Sequence, residues 1–151
     1  MDKIVSAMKI ERVTYRCALE HVVEYGDTDV FPYPFELKFL KDYADNVAEK
    51  LSSIDLTQYS PMSLIESLIP KTKFGFRIAH QPYPVDTIIF TALIYKIYDA
   101  VEAGRDDIRS NRAFSYRKAP GLTPELFLPD HLIEIGLKFW QPECFLLTSI
   151  T

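Results

Sequence analysis

Three basic side chains, Lys71, Lys73 and Arg77, crowd around one glycine, Gly75, and a further cation, Arg117, follows at the end of Phe114-Ser115-Tyr116-Arg117. Arginine offers a planar fork that engages two phosphate oxygens at once and lysine a compact charge, so such a group is suited to holding a polyanion. The same residues also read as solvated surface charge, and both readings stay open at this level. Other chemistries find less support. His21, His80 and His131 lack the i, i+4 pairing of a zinc helix. No serine or cysteine stands in an arrangement with histidine and acid that would make it a nucleophile. Gly26, Gly75, Gly104, Gly121 and Gly136 are scattered and form no phosphate loop. Hydrolase, zinc-enzyme and nucleoside-triphosphatase readings therefore fall away. Asp86 reads as the cap of a helix, and Glu102 with Arg105, at i, i+3, as an ion pair at a helix end. Cys17 and Cys144 are expected to be reduced, buried thiols, because their spacing fits neither a zinc site nor a disulfide framework.

The elements that must position these groups follow from periodicity. A helical pattern runs from about Ile10 to Tyr25 through Ile10, Val13, Cys17 and Val22, and Gly26-Asp27 stops it. Phe31-Pro32-Tyr33-Pro34-Phe35 reads as a packed turn. It leads into a helix with an apolar stripe of Leu40, Tyr43, Val47 and Leu51, and Lys38, Lys41, Asp42, Asp45, Glu49 and Lys50 on its wet face. Residues 61–69 fit a short helix or a strand equally well. Lys71-Thr72-Lys73-Phe74-Gly75 reads as a hairpin turn with Phe76–His80 as the return strand, which points Arg77 away from the face holding Phe76 and Ile78. Pro82 and Pro84 then lead into the strongest helix, about Val85 to Ala103. Ile89, Leu93, Ile97 and Val101, joined by Phe90 and Ile94, are its expected buried stripe, and Thr87, Thr91, Tyr95, Asp99 and Glu102 its polar face. Gly104 lies just past its end.

The 151 residues, 48% apolar and 25% charged, have the composition of a globular chain, and 10 prolines against 5 glycines predict short, interrupted elements. The net charge of −4 is unevenly spread: residues 60–120 hold 9 basic against 6 acidic side chains, while both flanks are acidic. Neither a signal-peptide pattern nor a membrane-spanning stretch is evident, which points to a soluble, cytoplasmic protein.

The order of these motifs resembles the fingers region of bacterial reverse transcriptases. Ile69-Pro70-Lys71 comes first, then Gly75 with Arg77, then Pro84 and Asp86 heading an apolar helix, then Glu102-x-x-Arg105, then Ser115-Tyr116-Arg117. Phe76-Arg77-Ile78-Ala79-His80-Gln81, Asp86 and Phe114–Arg117 look most similar to the defence-associated, abortive-infection branch. The resemblance covers about Tyr59 to Lys118. It implies an α+β fold, mainly helical with a small antiparallel β-hairpin, in three regions: N-terminal helices over 1–58, a fingers-like part over 59–118, and a tail over 119–151 leading toward a palm.

A fingers subdomain neutralises an incoming triphosphate and holds template without reading bases, which takes a few cations on a stiff support. By resemblance, Lys71 and Arg77 meet the nucleotide phosphates, with Lys73 on the same hairpin. Ser115 and Tyr116 shape the nucleotide pocket and Arg117 touches the template backbone. The implied partners are RNA or an RNA/DNA duplex and a nucleoside triphosphate. The family's two Mg²⁺ ions sit on palm carboxylates, including a Tyr-x-Asp-Asp turn. These 151 residues contain no Tyr-x-Asp-Asp, and Ser149 stands about where the first carboxylate is expected. The chain is accordingly expected to carry no metal cofactor of its own, to be catalytically incomplete alone, and to self-associate through an apolar tail containing Trp140 and Phe145-Leu146-Leu147. The alternative reading is a non-catalytic RNA-binding or protein-docking module on a polymerase scaffold.

Overall fold

A computed structural model describes residues 7–26, 33–71, 75–106 and 117–127. Among them are four helices and one two-stranded antiparallel sheet. In chain order these are α1 (Arg12–Tyr25), α2 (Glu36–Asp42), α3 (Ala44–Ser53), β1 (Ile65–Lys71), β2 (Gly75–Gln81) and α4 (Pro84–Ala103). The architecture is thus α+β. The chain divides into two units, Met1–Ile97 and Tyr98–Thr151.

In the first unit α1 packs against α3 and more lightly against α2. The buried set of α1 is Thr14, Tyr15, Cys17, Ala18, Leu19 and Val22, whereas Val13, expected inside, is 53% exposed. Full burial of a side chain such as Leu19 contributes about 2 kcal/mol. Ala18, Ala44 and Ala48 are all buried, and residues this small let two helices approach closely. At the surface, Arg16 reaches Glu20 at 2.6 Å on its own helix and Asp45 at 2.9 Å on α3, while Arg12 adds a 3.3 Å contact to Asp45. The hydrogen bond and charge of Arg16 hold the Asp45 carboxyl below the usual aspartate range.

The end of α1 depends on Gly26. Its N–H donates to the Val22 carbonyl at 3.0 Å, and a Cβ added there would lie 2.3 Å from that same oxygen. Only glycine fits this approach.

The single helix expected after the proline cluster is two helices, broken at Tyr43, whose backbone (φ −111°, ψ 27°) leaves the helical region. The break re-aims the stripe: Leu37, Ala44, Ala48 and Leu51 are buried, Leu40 and Val47 are half-buried, and Tyr43 is exposed. Phe35, expected to pack in the turn, is 82% exposed; Phe31 and Pro32 lie outside the described residues.

α4 shows the largest difference from expectation. Ile88, Ile89, Thr91, Ala92, Tyr95 and Tyr98 are buried, while Phe90, Ile97 and Val101 are exposed and Leu93 and Ile94 half-buried. A helix that is apolar on nearly every side has no hydropathy signal strong enough to select one face. Here small residues and amphipathic tyrosine rings fill the contact instead. His21 of α1 lies edge-on to Tyr95 with ring centres 6.4 Å apart. Burial, with smaller contributions from Cys17, Glu20 and Tyr25, pushes the Tyr95 hydroxyl well above its ordinary range. Cys17 is buried, as expected, and burial raises the pKa of its thiol; Cys144 lies outside the described residues.

The second unit is built around the end of α4. Lys118 and Phe127 form an antiparallel bridge, the Ala119 N–H donates to the Leu126 carbonyl at 3.1 Å, and Gly121 between them takes φ +84°, which favours glycine. Tyr98 meets Phe127 edge-to-face at 6.0 Å, and Lys118 pairs with Asp99.

Candidate nucleic-acid interface

The segment left open between helix and strand is irregular over 61–64 and then forms β1. β1 pairs with β2 in the register Ile65↔Gln81, Leu68↔Ile78, Ile69↔Arg77 and Lys71↔Gly75. Direct partners share a face, so this register sorts the hairpin into two surfaces. One carries Ile65, Ser67, Ile69 and Lys71 with Gln81, Ala79, Arg77 and Gly75. The other carries Glu66, Leu68 and Pro70 with His80, Ile78 and Phe76. Arg77 therefore lies opposite the face of Phe76 and Ile78, as expected. Lys71 and Arg77 fall on one face as diagonal neighbours, about 7–8 Å apart at that position in a sheet, and both are exposed. Two phosphates of one chain, or two of one triphosphate, can be met at such a spacing.

Lys73, Ser115 and Tyr116 lie outside the described residues, as do Trp140, Ser149 and the rest of the apolar tail.

Arg117 has a different environment from Lys71 and Arg77. Its side chain is only 12% exposed, Nε lies 2.9 Å from Glu102 Oε1, and Nη2 donates to the Asp106 carbonyl at 2.8 Å. Arg105 approaches the other oxygen of Glu102 at 3.5 Å, so the ion pair expected between Glu102 and Arg105 is present and Arg117 completes it. The guanidinium of Arg117 is thereby committed to closing the end of α4. Its Nη1 is buried without a hydrogen-bond partner among the described residues, so little of the group faces a template.

Asp86 also departs from expectation. Tyr83 accepts the first backbone bond of α4, from the Thr87 N–H at 2.9 Å, and Pro84 takes the first helical position, where its missing N–H costs nothing. Asp86 stands within the first turn, where a carboxylate complements the helix dipole. It caps nothing on its own helix in the manner expected. Instead its oxygens accept from the Tyr59 hydroxyl at 2.6 Å and the Met62 N–H at 3.1 Å. The stretch entering β1 is thus fastened to the helix leaving β2, so both roots of the hairpin are held. Burial first, then the hydrogen bond and charge of Asp86, push the Tyr59 hydroxyl up to about 12. Contacts 24 and 27 residues apart carry no periodic signal in a sequence. Beside this fastening lies an apolar groove of about 320 Å³ lined by Leu56, Met62, Leu64, Ile89, Phe90 and Leu93.

On the hairpin's second face, Leu68, Phe76 and Ile78 are 67%, 72% and 59% exposed, and His80 Nε2 lies 3.1 Å from Glu66 Oε1. Among the described residues no group of three or more His, Cys, Asp or Glu side chains is arranged to hold a metal ion, and no helix is long and apolar enough to cross a membrane. Comparison of the chain with family models, curated proteins and solved structures gave no match.

Proposed function

We propose that this chain serves as the N-terminal and fingers portion of an RNA-directed DNA polymerase, contributing contacts to nucleotide phosphates and template rather than the metal chemistry. One observation carries the reading: Lys71 and Arg77 stand together, exposed, on one face of a hairpin whose two roots are fastened by Asp86. A stiff support with two cations at phosphate spacing suits sequence-independent binding, because phosphate contacts position a nucleic acid without reading its bases. The ordered motifs from Ile69-Pro70-Lys71 onward support the same reading. The Mg²⁺ chemistry of that family has no ligand set among the described residues, so no metal step is assigned to this chain. Arg117 is given an architectural part.

Filter binding of single-stranded RNA at two salt concentrations tests this. Two or three phosphate contacts imply a loss of about 7- to 20-fold in affinity between 50 and 200 mM salt. Arg77→Ala and Lys71→Ala should each weaken binding at low salt. Salt-independent binding, or binding unchanged in both variants, refutes the proposal. A protein-docking module is the second reading, favoured by the exposed Leu68, Phe76 and Ile78, and it survives if RNA binding is absent altogether.

A further inference from the structure

Charge is sorted between the two faces of the hairpin. The face that holds Lys71 and Arg77 carries no acidic residue, and the carboxylate of the hairpin, Glu66, sits on the other face against His80. Of the five arginines among the described residues, Arg12, Arg16, Arg105 and Arg117 each contact a carboxylate, and Arg77 does not. Two positive charges thus stand uncompensated on one face, which suits an anion. The register adds a second regularity. Along this face the paired positions are Lys71 with Gly75, Arg77 with Ile69, Ser67 with Ala79, and Gln81 with Ile65. Each layer therefore holds one hydrogen-bonding side chain, supplied by β1 and β2 in turn, opposite a residue that has none. Successive layers lie about 6.8 Å apart, two residues along a strand. An extended single-stranded nucleic acid repeats its phosphates at a closely similar interval. Among the described residues, no hydrogen bond occupies the Ser67 hydroxyl or the Gln81 amide.

We propose that this face is a track for one extended strand of RNA, in which Ser67 and Gln81 carry the contacts of Lys71 and Arg77 onward to the roots of the hairpin. Such a track presupposes that Lys71 and Arg77 meet phosphates, as proposed above, and adds the form of the ligand and two further residues. Arg77 is its centre, because Lys71 on the turn side and Ser67 on the root side are both diagonal neighbours of it. The pairing of Ser67 with Ala79 leaves a low place between Ile69 and Ile65, where a strand settles toward the sheet within reach of the short hydroxyl. Gln81 offers an amide N–H to the phosphate beyond. A free triphosphate holds its charges closer together than a strand does, so it engages Lys71 and Arg77 alone. A duplex fits poorly, since two strands about 4.8 Å apart make a face wide enough for one backbone. All these contacts go to the backbone, so no base sequence is selected.

Binding of a uridine octamer and of deoxythymidine triphosphate to the full chain, measured over a range of salt concentrations, tests the track. Ser67→Ala and Gln81→Ala should each weaken octamer binding about 3- to 10-fold, the loss of one neutral hydrogen bond. Being uncharged, both residues should leave the slope of log affinity against log salt as it is, whereas Lys71→Ala and Arg77→Ala should each lower it by about 0.7. Ser67→Thr keeps a hydroxyl and should bind the octamer as the wild type does, and His80→Gln on the other face should change nothing. Triphosphate affinity should not move in Ser67→Ala or Gln81→Ala. A parallel loss of octamer and triphosphate in these two variants would mean that they act through the fold of the hairpin, and it overturns the track, as does a Ser67→Thr variant as weak as Ser67→Ala. The track is also refuted if octamer binding depends on Lys71 and Arg77 yet is unchanged in both Ser67→Ala and Gln81→Ala, a result that leaves the phosphate reading standing. An octamer that is not bound, or is indifferent to Lys71→Ala and Arg77→Ala, removes both.

Discussion

Removing the Asp86 fastening should loosen the hairpin by an amount the geometry lets us work out. Tyr59 donates to a carboxylate at 2.6 Å in a partly buried setting, and hydrogen bonds to charged groups contribute about 1.5–3 kcal/mol. Tyr59→Phe removes that bond and should cost about 1.5 kcal/mol. Asp86→Ala also frees the Met62 N–H and should cost about 2.5–3 kcal/mol. Because both changes break the same bond, the double variant should fall short of their sum by about 1 kcal/mol. The pH dependence supplies an independent check. With its hydroxyl at about 12 in the folded chain, against about 10 when unfolded, Tyr59 stabilises fully below about pH 10. That stabilisation is lost as pH rises through about 12. The shift corresponds to about 2.7 kcal/mol, which screening of a partly exposed ring reduces to about 1–2 kcal/mol. Tyr15, Tyr95 and Tyr98 are shifted the same way, so the wild type is to be compared with Tyr59→Phe rather than read alone. Urea unfolding followed by circular dichroism, repeated from pH 8 to about 11.5, gives both quantities. Additive single-variant costs, or identical alkaline profiles for wild type and Tyr59→Phe, would refute the reasoning.

Gly26→Ala should destabilise the first unit by about 1–3 kcal/mol, since its Cβ would meet the Val22 carbonyl oxygen; an unchanged urea midpoint contradicts this. Arg117→Ala should cost about 1.5–3 kcal/mol by leaving Glu102 with Arg105 as its remaining ion-pair partner, yet leave RNA affinity within about twofold in protein that is still folded. The reverse pattern, full stability with lost affinity, would return Arg117 to the template-binding set. Lys71→Ala combined with Arg77→Ala should lower the slope of log affinity against log salt by about 1.4 for single-stranded RNA, as read by filter binding.

What the sequence disclosed is unequal across the chain. The hairpin was legible because Gly75 and the alternation of Phe76, Arg77 and Ile78 are local signals, and local signals decide strands and turns. β1 was half-legible: Pro70 and the run of Leu68 and Ile69 fit strand or helix until a partner is present. The buried faces of α1, α3 and α4 were misread where apolar residues surround the helix or where a break such as Tyr43 rotates it, because period then gives no unique direction. Tertiary bonds such as Tyr59 to Asp86 and Arg117 to Glu102 were invisible, since each side chain has an adequate local reading as cap, core tyrosine or surface charge. At the candidate site, strand alternation alone turned Arg77 away from Phe76 and Ile78, but its sharing a face with Lys71, which reads locally as part of the turn, emerges only from the register Ile69↔Arg77 and Lys71↔Gly75.

The most direct test of that site is a backbone-amide NMR titration of the isotope-labelled chain with a short single-stranded RNA and, separately, with a deoxynucleoside triphosphate. The shifts should concentrate on the amides of Ile69, Lys71 and residues 75–79, scale down as salt is raised, and vanish in the Lys71→Ala, Arg77→Ala variant. Shifts centred on α1 and α3, or shifts on the hairpin that persist without both cations, would contradict that assignment.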